Sequence, residues 1–136
     1  MKRKISLILL VMMIFTMLFA TYVSADEVMP RFNNTSYTFT DFAITDNGTA
    51  LVAVSCQGYT GTTTRITVSI RIEKRSFLLF WNEVVVDSRT VRATSYDNEF
   101  EYQLSDKGTY RCTVTYSVSG SGGEDDTIIQ EFTDTY

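Results

Sequence analysis

Thr109-Tyr110-Arg111-Cys112-Thr113-Val114-Thr115-Tyr116-Ser117-Val118 decides how the rest of the chain is read. Tyr110, Cys112, Val114, Tyr116 and Val118 share one face; Thr109, Arg111, Thr113, Thr115 and Ser117 share the other. Side chains of a strand alternate between faces, so this period of two predicts a half-buried β-strand. The stretch also carries one of the two cysteines.

Working outward, the pattern recurs. Ile66, Val68, Ile70 and Ile72 alternate with polar residues from Arg65 to Glu73, and branched side chains suit a pleated surface. Val52, Val54 and Cys56 predict a strand over Thr49–Gln57, and Phe100, Tyr102 and Leu104 one over Asn98–Leu104. Tyr37–Ile44 and Thr127–Thr133 read as the first and last strands, and Asn82–Val86 as another. Asn47-Gly48 marks a tight hairpin turn, Gly58–Thr64 and Ser119–Asp126 read as loops, and Asp87–Tyr96 reads as a loop with a short edge strand. Asp134-Thr135-Tyr136 reads as a tail. Seven or eight short strands with no helical periodicity predict an all-β sandwich or small barrel.

Phe77-Leu78-Leu79-Phe80-Trp81 breaks the alternation. Five successive large apolar residues fit a strand covered on both faces, a wide turn with some residues tucked in, or an exposed binding patch. The expectation is burial in the core, with Phe80, Trp81 and the loop residue Tyr59 held as candidate binding residues.

The N-terminus reads as a leader. Lys2-Arg3-Lys4 precedes an apolar run from Ile5 to Phe19, and Val23-Ser24-Ala25 offers the small residues a signal peptidase accepts. The run is short for a bilayer crossing, so cleavage after Ala25 is preferred to an uncleaved anchor. No apolar C-terminal tail offers stable membrane insertion afterwards. The exported chain would hold 136 − 25 = 111 residues, one domain's worth. Residues 26–36 read as an exposed lead-in and 37–136 as the domain. All 16 acidic residues and all but three of the 12 basic ones lie beyond Ala25, giving a formal charge of 9 − 16 = −7. That sign disfavours nucleic acid and anionic membranes as partners.

Cys56 and Cys112 both lie in the exported part, so one intramolecular disulfide is expected, with a pair of reduced buried thiols as the rival. Histidine is absent, which removes the usual acid–base residue and commonest metal ligand. The paired carboxylates Glu99 and Glu101 read as a wet strand face rather than a glycosidase pair. Glu124, Asp125 and Asp126 are metal candidates in a glycine loop, weaker than the reading of a solvated loop. No cofactor is implied.

Asp106-Lys107-Gly108-Thr109-Tyr110-Arg111-Cys112 has the form Asp-x-Gly-x-Tyr-x-Cys. It resembles the tyrosine corner of immunoglobulin-type domains, in which the Tyr hydroxyl bonds back across the turn. The resemblance makes Asp106, Gly108 and Tyr110 a structural corner and Cys56 and Cys112 an inter-sheet bridge. A bridge closing such a loop would stabilise by about 4 kcal/mol on a chain-entropy model. The chain departs from the pattern at Trp81, which lies beyond the Ile66–Ile72 strand, so a fibronectin-III-like topology is equally compatible. More broadly, the Cys strand running into Gly58–Ile66, the Trp-containing strand and the Gly-Thr-Tyr-Arg strand resemble small secreted proteins of Gram-positive gut bacteria. That resemblance implies export and a sandwich and supplies no catalytic residues. The function these readings imply is non-catalytic binding of a protein or glycan at or outside the cell surface. A small secreted enzyme or enzyme inhibitor, and a structural surface or assembly protein, are the alternatives.

Overall fold

The computed structural model describes residues 31–136; the leader and its cleavage site lie outside them. The described chain is all-β, with seven strands: β1 (Thr35–Ile44), β2 (Thr49–Gly58), β3 (Thr63–Phe77), β4 (Phe80–Val91), β5 (Ser95–Gln103), β6 (Thr109–Gly120) and β7 (Asp126–Thr135). They form two antiparallel sheets, ordered β1-β2-β5 and β4-β3-β6-β7. A constant-type immunoglobulin domain places its fourth strand on the sheet of its first two. Here β4 stays beside β3, and the chain returns to the first sheet only at β5.

The alternation in the sequence becomes the core. Tyr110, Cys112, Val114, Tyr116 and Val118 of β6 are buried, as are Ile66, Val68, Ile70 and Ile72 beside them on β3. Ala50, Val52, Val54 and Cys56 of β2 join the same cluster from the facing sheet, with Phe42 of β1 and Phe100 of β5. Each fully buried aliphatic side chain contributes about 1.5–3 kcal/mol by leaving water. Tyr116 also ties the layers together. Its hydroxyl donates to the Phe39 carbonyl at 2.7 Å and lies 2.6 Å from the Thr40 hydroxyl, so a β6 side chain is bonded to β1. The corner stands at the start of β6, where the Tyr110 hydroxyl donates to the Asp106 carbonyl at 2.6 Å.

The structure moves several expected boundaries. β4 continues unbroken through Asp87–Val91, where the sequence reads as a loop with a short edge strand. As an edge strand β4 has few buried positions, and its polar residues bond sideways instead. Thr90 pairs with Thr67 at 2.9 Å and Ser88 with Ser69 at 3.0 Å, while Asp87 accepts from the Tyr102 hydroxyl at 3.1 Å. The expected tail is strand too: β7 runs to Thr135, and Tyr136 exchanges backbone bonds with Gly108 at 2.9 and 3.2 Å. In the Asn47-Gly48 turn, Gly48 adopts φ of 80°, and an added Cβ would stand 2.6 Å from the Tyr136 ring.

The end of the lead-in is not exposed: Asn34 and Thr35 are buried. Asp126 holds them, accepting from the Asn33 N–H at 2.8 Å, the Asn34 N–H at 2.7 Å and the Thr35 hydroxyl at 2.8 Å. The Asn34 amide donates to the Glu124 carbonyl at 3.0 Å and accepts from the Gly122 N–H at 3.1 Å, and the Thr63 hydroxyl donates to its main-chain carbonyl.

The expected disulfide is also corrected. Cys56 and Cys112 enter one core from facing sheets, but both are free thiols. Ile, Val and Tyr side chains already fill the interior, where a thiol packs as a small apolar group. Burial, with the charge of Asp97, pushes the Cys56 thiol up to about 11, and burial pushes Cys112 up to about 12. Both stay protonated at neutral pH, and the thiol is the unreactive form.

Candidate binding surface

β3 is the longest strand, and its far end outruns the sheet. Its last partner on β6 is Lys74 opposite Tyr110; beyond that rung it pairs only with β4, through Arg75 opposite Trp81 and Phe77 opposite Phe80. Leu78 and Leu79 form the two-residue apex. The Arg75 guanidinium donates to the Leu78 carbonyl at 2.7 Å and the Ser76 hydroxyl to the Phe80 carbonyl at 3.4 Å, which occupies two carbonyls of the tip.

Burial of the Phe77–Trp81 run was the expectation, and the structure overturns it for four of the five residues. Phe77 is 70% exposed, Leu78 70%, Leu79 84% and Phe80 66%. A run buried on both faces needs a layer on each side, and among the described residues neither sheet nor loop covers the tip. Tight hairpin turns favour Asn and Gly for their backbone freedom, so Leu-Leu at the apex gains nothing from turn chemistry.

Trp81 is half-buried. The Arg111 guanidinium lies over its ring, 4.5 Å from the centroid. Arg111 also donates to one Glu73 oxygen through two nitrogens, at 2.7 and 3.0 Å. Arg71 pairs with Glu83 at 3.3 Å nearby. Sequence reading singled out Trp81 but missed Arg111, because β3, β4 and β6 bring them together only in the sheet. Farther along that outer face, exposed Val86 and Ile129 flank a shallow cleft of about 240 Å³ floored by Ser69, Thr113 and Thr115.

The other candidates lie apart. Tyr59 is exposed at the opposite end of the sandwich, lining a hollow with Phe32, Asn33 and Gly122. The three loop carboxylates do not converge. Asp126 is turned inward onto its donors, Asp125 accepts from the Ser119 hydroxyl at 2.7 Å, and Glu124 is exposed. Among the described residues no three His, Cys, Asp or Glu side chains are grouped to hold a metal ion. Glu99 and Glu101 stand exposed on the outer face of the three-stranded sheet, opposite Ala53 and Leu51. This end of the molecule thus sets a projecting apolar tip beside a face of paired charges.

No protein-family model and no curated protein matches the chain.

Proposed function

We propose that the protein is an exported, non-catalytic binding module whose contact surface is the β3–β4 tip. The observation that carries this reading is the exposure of Phe77, Leu78, Leu79 and Phe80 in unbroken succession. Large apolar side chains left in water lower solubility, and contiguous patches of them mark sites of association. The four side chains of the apex carry no hydrogen-bonding group, so the apex itself favours an apolar partner surface over the glycan considered from sequence. Trp81 and Arg111 supply an aromatic and a cationic rim of the kind that anchors interfaces.

The leader supports delivery outside the producing cell, with the chain starting at Asp26; the intact mass of the protein recovered from culture medium tests that start. For binding, the Leu78→Ser/Leu79→Ser variant and the wild type are compared for retention on cell-envelope material. Retention of the wild type, with loss of most of it in the variant at unchanged melting temperature, is the expected result. Equal retention of the two removes the tip as the contact surface.

A further inference from the structure

We propose that the partner of the tip is a lipid surface: Phe77, Leu78, Leu79 and Phe80 enter the outer layer of a bilayer, with Arg75 and Trp81 at the headgroups. The proposal rests on reading the tip as the contact surface and names what it contacts.

Shape is the first argument. β3 leaves β6 at Lys74, three residues before Phe77. At 3.3 Å per residue Phe77 stands about 10 Å beyond the last rung that β3 shares with β6. It is convex, so a protein partner would need a deep apolar cleft to receive it, whereas a lipid layer deforms around it. The projection also matches the depth of about 5–10 Å to which interfacial segments sink their apolar residues.

The order of chemistry along the hairpin is the second argument. The apex and the Phe77–Phe80 rung are wholly apolar. The next rung sets Arg75 opposite Trp81. Tryptophan and long cationic side chains are the residues that occupy the water–lipid boundary, with the ring or stem in the apolar layer and the polar end in water. The third argument is backbone polarity. The Ser76 hydroxyl donates to the Phe80 carbonyl, and the Arg75 guanidinium reaches up to the Leu78 carbonyl, a polar pair that stays at the headgroup boundary while the apolar side chains enter the layer. Four side chains make a reversible contact and do not span the bilayer.

The chain from Asp26 contains the whole compact unit Arg31–Tyr136, and Trp81 is its only tryptophan. It is mixed with phosphatidylcholine vesicles. The expected result is co-flotation, a blue shift of tryptophan emission, and quenching by lipids brominated near the headgroup end of the acyl chain. Leu78→Ser/Leu79→Ser should lower vesicle partitioning at least about tenfold, since each leucine side chain contributes more than a kcal/mol on leaving water. Its melting temperature should be unchanged. No partitioning of the wild type, or equal partitioning of the variant, overturns the lipid assignment. If the same variant then still loses retention on protein fractions of the envelope, the binding reading stands with a protein partner. If the substitutions instead turn a dimer into a monomer, with vesicles ignored, the occupant is a second copy and the lipid assignment falls. If they change neither retention nor association, both readings fall.

Discussion

Asp126 shows how one side chain can set a boundary. Burial pushes its carboxyl up, but the Asn33 and Asn34 N–H groups and the Thr35 hydroxyl more than offset that and leave it below the ordinary carboxylate value. A carboxyl with a lowered folded pKa contributes fully above its unfolded value, near 3.8 here, and loses that contribution as pH falls through the folded value. Asp126→Ala strands three donors and should cost about 2–3 kcal/mol at pH 7. In urea titrations the gap between the wild type and Asp126→Asn should narrow as pH is lowered from 7 towards 3. A constant gap would show that the charge is not what the donors require. At the corner, Tyr110→Phe removes one bond to the Asp106 carbonyl and should cost about 1 kcal/mol. For a domain of this size that lowers the melting temperature by roughly 4–8 °C in calorimetry.

At the scale of the element, the β3–β4 hairpin has two parts with different energetics. Its neck is packed: Arg111 joins Glu73 to the Trp81 ring, and the Glu73 side chain is only 16% exposed. Arg111→Met leaves that carboxylate without its two charged donors and should cost roughly 1.5–3 kcal/mol in denaturant unfolding. Its tip touches no core residue, so Leu78→Ser/Leu79→Ser should stay within about 0.5 kcal/mol of the wild type. A tip variant as destabilised as the neck variant would mean that the leucines serve the fold. Phe77–Trp81 was legible as an anomaly because it broke a period of two. Its exposure was not legible, because an apolar run has the same sequence whether covered by a second layer or extended past the sheet.

Across the whole molecule, two layers close over one interior, and the two thiols take part only as packing. Alkylation of the folded protein at pH 8 without reductant should run at least about a hundredfold slower than at a free cysteine, given thiols pushed up to about 11 and 12 and closed off from solvent. Unfolding in guanidinium should make both react, again without reductant. A pair that resists alkylation until a reductant is added would show a bridge and overturn the assignment of free thiols.

The sequence by itself determined the class of fold and most of its core. Alternation on β6, β3 and β2 names the buried face residue by residue, because strand periodicity is local and steric. Tertiary structure decided the rest. It placed β4 beside β3 rather than β5, drew Asn34 and Thr35 under Asp126, and left the cysteines unbonded. It also carried Phe77–Phe80 into solvent while setting Arg111 on Trp81. Each of these depends on which distant segments meet, and on where one strand runs past its neighbour. No local pattern encodes either.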